Sequence, residues 1–355
     1  MSRILSVGYP LAPVGPDATG GAEQILATLN TGLVERGVQS IVIACERSSV
    51  AGELIALPRP AGPLDADAVA EAQRRTRVAI ERTLAARDID LVHMHGVDFA
   101  SYLPPAGVPV LATLHCPAAW YSREALEPTR ADTWFNAVSN SQHATLLPNR
   151  RLLPPVPNGV SLEAFSSARR KRPFSLVLAR LAPEKGLHLA IEAARRAGVL
   201  LLIGGELFAY PEHQRYFREE IAPRLDPMCR WLGPVGLARK RRLLAAAQCL
   251  VVASQVPETS SLSAREALAS GTPVVAFDRG AMREAVAHGK TGYLVDDVAD
   301  MAEAIGAAAH LDSQTCRRTA VAQFGAEAMI AGYLETYRNI LSMTQCAHRR
   351  AEAMS

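Results

Sequence analysis

Short apolar runs alternate with amphipathic stretches along most of this 355-residue chain. RILSVG (3–8) reads as a buried strand, AEQILATLNTGLVERG (22–37) as an amphipathic helix ending at Gly37, and VQSIVIAC (38–45) as a second strand. IDLVHMHG (89–96), VPVLATLH (108–115) and WFNAVS (134–139) continue the strand series. The segment 151–173 breaks the rhythm, and its prolines, serines and basic residues suit an interdomain linker. The alternation then restarts. FSLVLA (174–179), VLLLIGG (199–205), CRWLG (229–233), CLVVAS (249–254), PVVAF (273–277) and GYLV (292–295) read as six strands, with helices such as GLHLAIEAARRAG (186–198) between most of them. Near-continuous apolar strands separated by helices imply parallel sheets covered on both faces. Two doubly wound α/β domains facing across a cleft are expected, with ligands at the strand C-termini.

Composition narrows the class. A hydrophobic share of 49% and a charged share of 21% suit globular cores, and the length fits two domains. A net charge of +3 argues against nucleic acid as the main partner. The six cysteines (Cys45, Cys116, Cys229, Cys249, Cys316, Cys346) contain no C-x-x-C pair and read as reduced thiols. No apolar run approaches the roughly 20 residues that span a bilayer, and the N-terminus turns polar too soon for a signal peptide. The expectation is a cytoplasmic protein.

Three stretches carry candidate chemistry. DATGGAE (17–23) joins the first strand to the first helix, where Gly20 and Gly21 let the backbone approach a ligand and the helix start favours an anion. The plainer reading is an ordinary glycine-containing turn. VLARLAPEKG (177–186) puts Arg180 and Lys185 after a strand end, which suits a diphosphate or, equally, a solvated ion-pair network. PETSSLSAREALASGTPVVA (257–276) sets Glu258 in a loop and Glu266 inside a helix that Ser260, Ser261 or Ser263 would cap. That helix start would present N–H groups to a phosphate, and the carboxylates suit sugar or ribose hydroxyls. A dipole partner and a core-paired glutamate are the bland alternative.

Other patterns carry little. HGKTG (288–292) lacks the first P-loop glycine and precedes a strand. Asp88–Asp90 and Asp65–Asp67 have the D-x-D form but the wrong placement for a metal-nucleotide. His93 and His95 share a strand face without a visible third ligand, so no metal site is expected.

Taken together, the motifs resemble glycosyltransferase family 4, whose members have the GT-B fold and are retaining and nucleotide-sugar dependent. PETSSLSAREALASGTPVVA is similar to the family's E-x(7)-E signature, and VPNGVSLEAF (156–165) to its crossover segment, with Ser161 in the usual Asp place. VLARLAPEKG resembles the R-x(4)-KG element with Ala179 for Gly; TLH (113–115) and GKTGYLVD (289–296) resemble two more. The resemblance spans about residues 3–342. It implies an N-terminal Rossmann-like acceptor domain (1–165), a C-terminal nucleotide-sugar domain (166–322) and a final helix (323–355) that crosses back to the first domain.

The resemblance also implies roles. Arg180 and Lys185 would neutralise the donor diphosphate, Glu266 would bind the ribose, and Glu258 with the amides of Ser261 and Leu262 would hold the sugar and β-phosphate. His115 would contact the sugar near the anomeric centre, with Gly21 beside it or the phosphate. Thr259-Ser260-Ser261 departs from the family's glycine-rich run and leaves the donor sugar open. The implied reaction is metal-independent, retaining transfer to a sugar, lipid-linked or small-molecule acceptor in glycan biosynthesis, without a cofactor beyond the nucleotide sugar. A hydrolase or epimerase on the same fold, and a non-catalytic nucleotide-sugar-binding protein, are the rivals. For the acceptor, CPAAWYS (116–122) offers aromatic stacking or mere core cover. The basic runs RRKR (169–172) and RKRR (239–242) suit weak contact with an anionic membrane surface or ordinary solvated faces.

Overall fold

The computed structural model describes residues 2–60, 62–165 and 170–352, so Arg169 of the first basic run lies outside the described residues. In the N-terminal half the chain runs β1 (Arg3–Val7), α1 (Gly21–Glu35), β2 (Gln39–Cys45), β3 (Glu53–Leu57), α2 (Ala66–Ala86), β4 (Leu91–Met94), β5 (Val110–Leu114), α3 (Arg123–Leu126), β6 (Thr133–Ala137) and α4 (Asn140–His143). The C-terminal half runs β7 (Arg172–Leu178), α5 (Leu187–Arg196), β8 (Leu200–Gly204), α6 (Pro211–Tyr216), β9 (Cys229–Trp231), α7 (Leu237–Ala246), β10 (Ala247–Val252), α8 (Leu262–Ala269), β11 (Val274–Phe277), α9 (Met282–Ala285), β12 (Gly292–Val295), α10 (Val298–Ala307), α11 (Ser313–Gln323) and α12 (Ala326–Glu352).

Each half forms a six-stranded sheet, ordered β3-β2-β1-β4-β5-β6 and β12-β11-β10-β7-β8-β9, and every pairing is parallel. The period-two alternation of a strand distributes side chains to two cores. In β1, Leu5 and Val7 enter one cluster with Ile41, Val92 and Phe135, while Ile4 enters another with Ile25, Leu29 and Leu33 of α1. The strand that patterning missed is β3, a half-exposed edge strand whose apolar run, LIAL (54–57), is only four residues long. Helix α2, also unassigned from sequence, starts at Asp65, which caps Ala68 N–H at 3.0 Å; half of the first D-x-D thus has a structural role.

Two passages of chain join the halves. The first follows Asn158-Gly159-Val160; the second runs from Phe324 to Ala326. They lie side by side, with Val160 N–H on the Phe324 carbonyl at 2.7 Å and Ala326 N–H on the Val160 carbonyl at 3.0 Å. Gly159 is needed here because a Cβ on it would sit 2.6 Å from the Cα of Ala326. Beyond this crossing, α12 packs Met329, Ile330, Tyr333, Tyr337 and Ile340 against α1 and the first sheet. No helix among the described residues is long and apolar enough to cross a membrane.

Candidate active site in the interdomain cleft

The strand C-termini of both sheets open on one cavity of about 1000 Å³ between the halves. Gly21, His115, Arg180, Lys185, Glu258, Ser261, Leu262 and Glu266, which lie far apart in sequence, all line it. The first two come from the N-terminal half and the rest from the second half.

Arg180 and Lys185 leave the end of β7. Arg180 lies 3.3 Å from Glu184, and Lys185 Nζ donates to Glu258 Oε1 at 2.7 Å. Gly186 follows with φ 59°, the left-handed region that glycine tolerates, and a Cβ there would meet the Ala253 carbonyl oxygen at 2.1 Å. The tight turn thereby presses Lys185 against the β10 loop that carries Glu258. Burial alone would push the Glu258 carboxyl up, but Lys185, by charge and hydrogen bond, together with Ser254 and Arg180, holds it below its ordinary value.

Helix α8 starts in the cavity wall. None of the serines expected to cap it does so: Ser261 occupies the cap position with φ 54° and ψ 79° and makes no side-chain cap. The first N–H groups of α8 therefore lack a side-chain acceptor at the cap, while the Ser260 hydroxyl is buried without a partner. Arg265, 2% exposed, fixes this helix start to the crossing by donating to the carbonyls of Ser260 at 3.2 Å and Asn158 at 2.5 Å and lying over the Phe324 ring.

Glu266 is neither solvated nor free. Lys240 of α7 donates to its Oε1 at 2.5 Å and to Gln24 Oε1 of α1 at 2.9 Å, so one buried ammonium joins this carboxylate to the opposite domain. Burial pushes the Glu266 carboxyl up, and Lys240 offsets only part of it. Further contacts bridge the cleft. Gly21 abuts Leu262, Asp17 accepts from Leu237 N–H at the start of α7, and Thr259 Oγ1 donates to the His115 carbonyl at 2.8 Å.

The His115 ring meets His95 at 3.0 Å, and His93 bonds Tyr337 and Thr113, each at 2.7 Å. Burial pushes all three histidines well down, His115 to about 3, so they are neutral near pH 7. Of the aromatic loop, Trp120 is 42% exposed and lines the cavity, whereas Tyr121 is buried against Phe99 and bonds Cys116 N–H. Only the first ring of that pair is placed for a ligand. Glu23, Gln24, Lys240 and Asn158, which the sequence did not single out, also line the cavity.

This arrangement sets two cations and a helix N-terminus against two carboxylates along one wall. That wall can hold a diphosphate between hydroxyl-bearing groups. The model described as "Glycosyltransferase Family 4" matches residues 19–164, and that described as "Glycosyl transferases group 1" matches residues 162–322. A phosphatidyl-myo-inositol mannosyltransferase of Mycobacterium leprae (strain TN) is 26% identical over 90% of this chain and 91% of its own. The fold of AviGT4, a glycosyltransferase involved in avilamycin A biosynthesis, superposes with a TM-score of 0.71 at 25% identity, covering 96% of this chain and 98% of that one. Anabaena Alr3699/HepE in complex with UDP-glucose has a TM-score of 0.71 at 18% identity, with coverages of 95% and 100%.

Proposed function

The chain belongs to glycosyltransferase family 4, and from that premise we propose that it moves a sugar from a nucleotide diphosphate sugar to an acceptor hydroxyl with retention at the anomeric carbon and without a metal ion. The observation that carries this reading is the convergence of Arg180, Lys185, Glu258, Glu266 and the α8 start on one wall of one cavity. The UDP-glucose complex of the fold relative HepE supports the donor class.

Arg180 and Lys185 flank the place for the diphosphate, where negative charge grows as the sugar–oxygen bond breaks. Charge stabilisation aimed there lowers the barrier, and two fixed cations supply it without an ion. Glu266 takes the ribose hydroxyls and Glu258 those of the sugar, with the amides of Ser261 and Leu262 on the β-phosphate. His115, neutral, contacts the sugar from the N-terminal half. On the same-face route the leaving phosphate oxygen accepts the acceptor's proton, so retention needs no separate base. The bridging contacts keep water out while the bond is broken.

The test is a thermal-shift screen of nucleoside diphosphates and their sugar conjugates, followed by NMR of the product's anomeric configuration. A donor that raises the melting temperature and a product of retained configuration are expected. An inverted product would overturn the retaining route, and donor consumption that no acceptor redirects would identify a hydrolase.

A further inference from the structure

Glu23 stands in the first turn of α1 and lines the same cavity as Arg180 and Glu258. It is 7% exposed, and no cation lies within ion-pair distance of it among the described residues. Its carboxylate folds back over Gly20, into space that any side chain there would fill: a Cβ would lie 1.8 Å from Oε2. Apart from its own backbone N–H, only the charge of Arg180 across the cleft favours the ionised form, and burial outweighs both.

Tyr9 after β1, Cys45 at the end of β2, Cys116 after β5 and Tyr210 after β8 feel its charge, and His95, His115, Lys185 and Glu258 line the same cavity. Burial pushes the two tyrosines and two cysteines up, Cys45 and Cys116 to about 11, and both histidines down, so these six are neutral near pH 7, while Lys185 is paired with Glu258. Arg180 is the cation whose charge reaches Glu23, and a diphosphate would share it.

A sugar-linked diphosphate is a diester whose phosphates hold no proton near neutral pH. Placed beside Arg180, it adds negative charge next to a carboxylate already buried and unpaired. Two such anions do not both stay ionised in a desolvated site, and only the carboxyl can take a proton. We propose that Glu23 is a donor-site residue that enters the nucleotide-sugar complex as the neutral acid, donor binding taking up one proton whose O–H then donates to the bound donor. This rests on the donor site proposed above. It adds a hydrogen-bond donor where charge grows on the leaving phosphate, from the domain opposite Arg180 and Lys185.

Donor binding raises the pKa of Glu23, so affinity is greatest below its free-state pKa. It falls by up to about tenfold per pH unit until the bound-state pKa is passed.

Calorimetric titration with UDP, GDP, ADP and dTDP and their glucose conjugates, in two buffers of different ionisation enthalpy, tests this. Titrated across pH, wild type should take up as much as one proton with the conjugate it binds, at pH values between the free-state and bound-state pKa of Glu23. Glu23→Gln should take up none, lose the pH dependence and bind severalfold tighter above neutral pH. Glu23→Ala should show the same loss of uptake, which guards against misfolding of either variant. Binding to wild type without proton uptake at any pH, or uptake that persists in Glu23→Gln, overturns the role of Glu23 and leaves the donor site standing. Failure of every nucleotide to bind overturns the donor reading and this one with it.

Discussion

Lys240 and Glu266 meet at 2.5 Å in the cleft, each side chain more than nine-tenths buried, and the same ammonium reaches Gln24 of the other domain. Breaking such a pair leaves a lone buried charge. Lys240→Met should lower stability by about 3 kcal/mol, measured by urea unfolding, whereas Lys240→Met with Glu266→Leu should recover much of the loss. On the proposed donor site the double variant should still bind nucleotide poorly, because it lacks the carboxylate assigned to the ribose. Equal donor affinity in wild type and the double variant would remove Glu266 from the site.

Arg180 and Lys185 should act on the reaction more than on the fold. Arg180→Ala and Lys185→Ala should each lower kcat by about 100-fold or more, read as nucleoside diphosphate release, with the melting temperature of Arg180→Ala near wild type and that of Lys185→Ala lowered because Glu258 loses its partner. An undiminished kcat in Arg180→Ala would sink its phosphate role.

Ser261 holds a left-handed backbone that costs an ordinary residue about 1–2 kcal/mol. Glycine relieves that strain but loses more entropy on folding. Ser261→Gly should therefore be more stable by a net of about 0.5–1 kcal/mol. Ser261→Val, β-branched in the same conformation, should be less stable than wild type. Thermal melts of the two variants check the pair of signs.

His93, His95 and His115 give the stability a defined pH dependence. Their folded-state pKa values are depressed, so the unfolded chain binds more protons once pH falls below about 6.5. Stability is thus fully present above that value and is lost as pH falls, by up to about 1.4 kcal/mol per pH unit for each proton. Urea unfolding across this range should show an uptake of more than one proton; a flat profile would mean that the histidines are solvated.

Much of this was legible because apolar strands and glycine-punctuated loops are local patterns. All eight residues singled out by motif line the cavity, since strand C-termini of a parallel sheet converge on a cleft. Lys240 escaped because RKRR looks the same on a solvated helix as on one whose second residue turns inward. Glu23 escaped because a glutamate in a first helical turn already has a sufficient reason in the helix dipole. The left-handed Ser261 was illegible for the opposite reason, as serine usually signals a side-chain cap. Edge strand β3 needs only one buried neighbour, so its sequence carries no strong periodic signal.

The chain passes between its halves twice, and Val160 binds the second passage at Phe324 and Ala326. A single strand would let one half swivel freely on the other. Two passages pinned together behave like the paired knuckles of a door hinge: twisting one half against the other would tear the backbone bonds between the passages. Whatever ligand enters the cleft therefore meets two walls held in one register, and that register is set at Gly159, where the backbones press too close for any larger residue.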